Sequence, residues 1–240
     1  MEIKTAIFLL AGTSSRFRGI VPHKSLLQLC GQTVLQRLII QAANLGVRRF
    51  VFGVGAAAYE VEMEAIRVLQ SIPLAEIAFI YNNDYASTGN LETLKLCRGY
   101  MEGDLVILEG DIAVDRLPRA TESTWVTVPD YIGDGCFVDI VGGRIVGKQI
   151  YRDTEIASIE WTREKSAGIF YLYSGQGSFL RWLEWPSGME YVDDVIVKLH
   201  PAPLRVYTPQ WQEMDTVEDF EKARRKITRP VSYQVDPVLR

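Results

Sequence analysis

The chain has 240 residues, 48% hydrophobic and 23% charged, the balance of a globular chain long enough for one large domain. Its formal net charge of −4 argues against a general nucleic-acid surface, so any local cluster of cations stands out. Cys30, Cys97 and Cys136 are widely spaced and odd in number, which fits neither a disulfide framework nor a zinc spacing; the expected compartment is a reducing cytoplasm. No run approaches a membrane-spanning length, so no membrane insertion is expected, and the first residues do not read as a signal peptide.

Residues 6–10 are an apolar run bounded by Gly12 and read as a buried strand. Ala11, Gly12, Thr13, Ser14 and Ser15 follow, all small enough for a tight turn that offers backbone N–H groups to an anion. Arg16, Arg18, His23 and Lys24 put three fixed cations and one titratable ring beside it. That combination suits a polyphosphate, although an ordinary turn with solvated arginines has the same composition. The stretch lacks the Gly-x-Gly-x-x-Gly of dinucleotide folds and the Gly-Lys-Ser/Thr of a P-loop, which disfavours dehydrogenases and P-loop NTPases.

A helix is expected over 33–45, where Val34, Leu35, Leu38, Ile39, Ala42 and Leu45 form a stripe closed by Gly46. A strand at 49–54, a helix at 56–72, a strand at 76–81, a polar loop at 82–90, a helix at 91–101 and a strand at 104–108 follow. This alternation implies an α/β fold with parallel strands and helices on both faces. Beyond Asp111 the pattern turns to strands at 125–128, 136–141, 144–151, 156–161 and 167–173, with Gly142 and Gly143 as a hairpin turn. Helices at 177–183 and 191–199, a strand at 204–207 and a last helix at 216–227 complete the pattern. The expected organisation is one domain over 1–228, an α/β half at 1–115 and a mixed half at 116–228, with a tail at 229–240.

In open α/β sheets ligands bind beyond the carboxyl ends of the strands, where the turn at 11–16, the loop at 82–90 and Asp111 should gather. Asp111 ends the apolar run of residues 105–108, a position that suits either Mg²⁺ or a plain turn. Asp215 reads as a metal ligand or as a helix N-cap, and Thr88 and Asn90 as site residues or as caps of the helix after them. His23 and His200 belong to no triad or zinc pattern, and the cations at 222–226 read as a solvated helix end.

Leu10-Ala11-Gly12-x-x-x-Arg16, Pro22-x-Lys24 and Gly31, then Glu109-Gly110-Asp111, then Glu213-Met214-Asp215-Thr216-x-Glu218-Asp219 resemble the nucleotidyltransferases that make nucleotide-activated small molecules. Asn82-Asn83-x-Tyr85-x-x-Thr88-x-Asn90 resembles the branch of phosphocholine and aminoethylphosphonate cytidylyltransferases. Three positions differ from that pattern: Ser14 stands where glycine is usual, His23 separates Pro22 from Lys24, and Gly89 replaces a frequent asparagine. The resemblance implies a Rossmann-like mixed sheet of the sugar-nucleotidyltransferase type and transfer of a nucleotidyl group, with CTP as the expected triphosphate. It also implies that residues 10–15, with Thr88 and Asn90, hold the nucleotide, that Arg16 and Lys24 are catalytic, and that Asp111 and Asp215 hold Mg²⁺.

The expected acceptor is a small phosphate or phosphonate carrying a positive charge. Glu190, Asp193 and Asp194 should project from an apolar helix stripe, with Tyr191, Trp161, Tyr171 and Tyr173 nearby, an arrangement that suits an ammonium group. An ordinary amphipathic helix, with Asp194 paired to Lys198, explains the same residues. A sugar-1-phosphate nucleotidyltransferase shares every motif, and a non-catalytic nucleotide binder would need the cations but not both metal carboxylates. A glycosyltransferase usually presents Asp-x-Asp, which Glu109-Gly110-Asp111 matches poorly. A homo-oligomer is compatible with all of these.

Overall fold

The apolar run behind the first turn forms β1 (Thr5–Leu10), buried at every residue. This structure, a computed structural model, describes residues 3–151, 163–173 and 189–234. A short hairpin of β2 (Gln28–Leu29) and β3 (Gln32–Thr33) leads into α1 (Val34–Asn44), whose first turn is capped by the Thr33 hydroxyl accepting from the Gln36 N–H. Gly46, at φ 102°, ends that helix as expected. Then come β4 (Arg49–Val54), α2 (Ala58–Leu69), β5 (Glu76–Tyr81), α3 (Asn90–Leu96) and β6 (Leu105–Glu109). The helix expected over 91–101 is shorter, tightening into a 3₁₀ turn at Cys97–Tyr100.

The second half contributes β7 (Ile112–Val114), β8 (Thr124–Val128), β9 (Gly135–Val141), β10 (Arg144–Tyr151) and β11 (Glu164–Leu172). It ends with α4 (Val192–Ile196), β12 (Ala202–Arg205), β13 (Trp211–Glu213) and α5 (Val217–Lys226). The strand expected at 156–161 and the helix expected at 177–183 lie outside the described residues, as does Trp161.

β1 pairs in parallel with β4 on one side and β6 on the other, and β4 pairs in parallel with β5. β11 adds antiparallel to β6, giving the order β10, β9, β11, β6, β1, β4, β5. β8 pairs with β11, and β12 with β8. Residues of α1 and α2 pack on one face of the sheet around Phe8, Phe50 and Phe52. Residues of α3 and α4 pack on the other around Ile7, Val51 and Ile107. Both faces of the inner strands are therefore dry, which is why those strands read as unbroken apolar runs.

β7 and β13 form a separate two-stranded antiparallel sheet that joins residues about a hundred positions apart in sequence. Residues 229–234, expected to be a tail, lie along α1 instead. Gln32 pairs both its amide groups with the Val231 backbone, at 2.8 and 2.7 Å. Asn44 similarly donates to Ser232 O and accepts from Gln234 N, and Arg37 donates to Arg229 O. Among the described residues no helix is long and apolar enough to cross a membrane.

Candidate active site

The carboxyl ends of β1, β5 and β6 surround a cavity of about 460 Å³. β11 runs the other way, so its first residues, Lys165 and Ser166, reach the same edge, and Tyr191 and Asp193 close it from the start of α4. Ala11, Gly12, Arg16 and Lys24 line it from the first loop, Thr88 and Asn90 from the second, and Glu109, Asp111, Glu213 and Asp215 from the strand ends.

The small sheet of β7 and β13 brings the acids together. The Met214 N–H donates to Asp111 O at 2.8 Å, so Asp111 and Asp215 leave their strands side by side. Lys24 Nζ lies 2.5 Å from Asp111 Oδ2 and 3.1 Å from Asp215 Oδ1. Arg16 reaches Asp215 Oδ2 at 3.5 Å from a much more exposed position. Burial disfavours the Lys24 charge, but Asp111 and Asp215 outweigh it and hold the ammonium above its usual range. Asp215 is held low despite its burial, chiefly by Lys24. Asp215 is not the helix cap: Thr216 caps α5, accepting from the Asp219 N–H at 3.1 Å while the Asp219 carboxylate accepts from the Thr216 N–H.

Local sequence explains the loop. Ser14 adopts a left-handed conformation at φ 49°, the reason glycine is usual there, and its hydroxyl accepts from the Lys24 N–H at 2.9 Å. That bond holds the two ends of the loop together. His23, the residue between Pro22 and Lys24, is buried and accepts from the Ser25 N–H, capping the turn that presents Lys24. Burial first, then the Lys24 charge, lowers its pKa to about 4, so it is neutral at pH 7.

Thr88 and Asn90 are not helix caps; the residue at that position is Gly89. The Thr88 hydroxyl donates to Asp84 O and accepts from Asn82, whose amide also donates to Thr93. Asn90 donates to Glu109 Oε1 at 2.8 Å and accepts from the Val192 N–H at 2.8 Å, tying the second loop to β6 and α4.

Several expected site residues lie elsewhere. Leu10 is buried behind the cavity, and its side chain occupies the space where a Cβ at Gly110 would go. Thr13 and Ser14 line a separate surface depression with Arg18, and Ser15 does not line the cavity. Tyr173 is at the opposite end of the sheet, because β11 is antiparallel to β6, and its hydroxyl donates to Ala120 O. Tyr171 likewise donates to Pro118 O. Glu190 is exposed outside the cavity, its carbonyl accepting from the Leu91 N–H. Asp194 caps α4 by accepting from the Glu190 and Tyr191 N–H groups, and it pairs with Lys148 at 2.7 Å, not with Lys198. Asp193 does not project outward but is buried in the cavity wall.

Lys165 and the Glu213 carboxylate are components that periodicity did not reveal, since a lysine opening a strand normally reads as solvated. Lys165 is buried, 2.6 Å from Glu213 Oε2, and donates to Asp134 O. Burial opposes its charge, yet Glu213 and Tyr131 hold its pKa above the usual range. Burial, reinforced by Asp111 and Asp215 and opposed by Lys165, pushes Glu213 up to about 7. A cluster of cations held over carboxylates at a strand edge can neutralise and orient a phosphate chain.

No family model matches the chain. It is 29% identical over 159 aligned positions to CMP-5'-(3-aminopropyl)phosphonate synthase of Streptomyces rubellomurinus, a match that covers 58% of this chain and 24% of that protein. It is 28% identical to the bifunctional protein GlmU of Synechococcus sp., covering 57% of this chain and 28% of that protein. The matches span only about a quarter of the length of these curated relatives. Among solved structures, the inositol-1-phosphate CTP transferase from T. maritima superposes with a TM-score of 0.73 at 17% identity, covering 97% of this chain and 99% of that one. CTP:phosphocholine cytidylyltransferase from Streptococcus pneumoniae superposes with a TM-score of 0.75 at 15% identity, covering 94% and 99%. The likeness carried by the sequence motifs is thus matched by a likeness of the whole fold: the chain has the architecture of the nucleotidyltransferases.

Proposed function

We propose that the chain transfers a nucleotidyl group, CMP from CTP, to a small phosphorylated or phosphonylated acceptor and releases pyrophosphate. The observation that carries this reading is the Lys24 ammonium held between Asp111 and Asp215 beside Arg16, at the carboxyl edge of the parallel strands. An acceptor oxygen attacks the α-phosphorus; the new P–O bond forms as the bond to the bridging oxygen breaks, and pyrophosphate leaves in line. A phosphate monoester has a second pKa near ~6, so the nucleophile is already ionised and needs no general base. This agrees with a cavity whose only histidine is buried and neutral. The work left to the protein is bringing anions together and neutralising them.

In this reading the loop around Ala11 and Gly12 holds the triphosphate and Arg16 meets the leaving pyrophosphate. Lys24 lies between the α-phosphate and the acceptor, and Lys165 reaches the acceptor phosphate from the far wall. Asp111 and Asp215 fit Mg²⁺: Asp111 Oδ1 is buried with no hydrogen-bond partner, and both carboxylates already share one cation. Two carboxylates are the usual protein share for Mg²⁺, the other ligands coming from substrate phosphates and water. When bound, the ion would act as Lewis acid and template. Cys30, Cys97 and Cys136 are free thiols, in keeping with a reducing cytoplasm.

A sugar-1-phosphate acceptor is the second reading, supported by the superposition on UDP-glucose pyrophosphorylase at a TM-score of 0.73. The deciding experiment is a pyrophosphate-release screen of four nucleoside triphosphates against phosphocholine, 2-aminoethylphosphonate and several sugar-1-phosphates. CTP with a small phosphate or phosphonate is expected to turn over fastest. No release from any pair would overturn the transfer reading.

A further inference from the structure

Asp193 is the second residue of α4, is only 9% exposed, and lines the cavity, yet its Oδ1 has no hydrogen-bond partner. Glu109 lines the same cavity from the end of β6. One side chain sets both acids. The Asn90 amide donates to Glu109 Oε1 and accepts from the Val192 N–H, the residue next to Asp193. Gly168 leaves room for Glu109, because a Cβ there would come within 2.7 Å of Glu109 Oε2.

The lysines nearby are engaged with other acids. Lys148 pairs with Asp194 at 2.7 Å, and Lys165 with Glu213 at 2.6 Å and with the Asp134 carbonyl. Among the described residues, neither Asp193 nor Glu109 belongs to an ion pair with a side chain. The Cys136 thiol hydrogen-bonds the Asp193 carboxyl, but a thiol is a weak donor and brings no charge. A buried carboxyl group and a half-buried one on the same cavity wall call for a cation that can also donate hydrogen bonds.

We infer that the acceptor carries a primary ammonium group held between Asp193 and Glu109, in preference to a quaternary or neutral head group. A primary ammonium has three N–H donors for the unpartnered carboxylate oxygen. A trimethylammonium has none and is recognised chiefly by aromatic faces, which Tyr85 and Tyr191 supply here among the described residues. Glu109 and Asp111 are two residues apart, so at most about 7 Å of chain separates them. The amine and the phosphate or phosphonate must therefore be joined by only a few atoms. The inference rests on the transfer reading for the word acceptor, but the amine site stands on Asp193, Glu109 and Asn90.

The test measures binding apart from turnover. Isothermal titration follows 2-aminoethylphosphonate, its N-trimethyl analogue and ethylphosphonate into the full chain, with and without the non-hydrolysable α,β-methylene CTP and Mg²⁺. The primary amine is expected to bind about tenfold or more tighter than either comparison, as loss of a charged hydrogen bond implies. Asp193→Asn and Glu109→Gln, each checked for an unchanged far-UV spectrum and melting curve, should erase that preference. Equal binding of the three ligands would overturn the inference. So would a preference that survives whichever of the two variants folds normally. An amine preference with no pyrophosphate release from any triphosphate would support the amine site and overturn the transfer reading. Release with neutral acceptors alone would do the reverse.

Discussion

Lys24 is one ammonium facing two carboxylates, so its removal tests the centre of the site at a single atom. Lys24→Ala and Arg16→Ala are each expected to lower turnover on the order of 10²-fold or more, as loss of a preorganised charge usually does. Lys24→Ala also leaves Asp111 without its cation and Asp215 with only the exposed Arg16, so its melting temperature should rise when Mg²⁺ is added, more than that of wild type. Arg16, being exposed, should change stability little. Wild-type turnover in both variants would remove the loop from the mechanism. Asp215→Asn is the companion experiment. Because Thr216 carries the cap of α5, the substitution should leave the helix intact, weaken Mg²⁺ affinity and abolish most activity. Unchanged Mg²⁺ dependence would release Asp215 from the metal role.

At the scale of an element, α4 is only five residues long, and its position depends on its first turn. Asp194 caps that turn and also pairs with Lys148 of β10. Its loss in Asp194→Ala should cost about 1–3 kcal/mol in denaturant melts, the sum expected for a cap and a partly buried ion pair. Burial would raise this carboxyl, but Lys148 and the Tyr191 and Glu190 N–H groups hold it below the usual range. A depressed folded-state pKa contributes stability above the ordinary carboxylate value and loses it as pH falls through the folded value. The gap between wild type and Asp194→Ala should therefore be full at neutral pH and narrow below about pH 4. A gap independent of pH would assign the loss to packing. Gly89 makes the neighbouring joint: a Cβ there would meet Glu190 O at 2.0 Å. Gly89→Ala should push α3 and α4 apart, destabilising the chain by on the order of 1–3 kcal/mol and loosening the Asn90 bridge.

At the scale of the molecule, the segment 229–234 is held by Gln32 of β3 and by Arg37 and Asn44 of α1, none of which lines the cavity. A chain ended at residue 228 is expected to melt lower by on the order of 5 °C, since several backbone hydrogen bonds are lost together. Its KM values should stay near those of the full chain. A change in KM without a change in melting temperature would instead link this segment to the site.

The alternating half of the protein was legible in the order of its residues. β4 and β5 keep the bounds expected for them; β4 is apolar from Phe50 to Val54 because both its faces are covered, whereas β5 is the partly exposed edge strand and starts on Glu76. Gly46 and the Gly142–Gly143 pair announce a helix end and a hairpin, since both need positive φ. Lys24, Asp111 and Asp215 could likewise be named from motifs, as could Asn90. Tertiary structure alone decided which of them meet. The β7–β13 sheet, three residues on each side, is too short to leave a period, yet it carries Asp215 to Asp111. The antiparallel direction of β11 sent Tyr173 to the far edge and brought Lys165 to the near one. The Asn90 bridge turned Asp193 from an expected surface acid into a buried one. Periodicity records which residues leave water within one element; it holds no record of which distant charges share the space that remains.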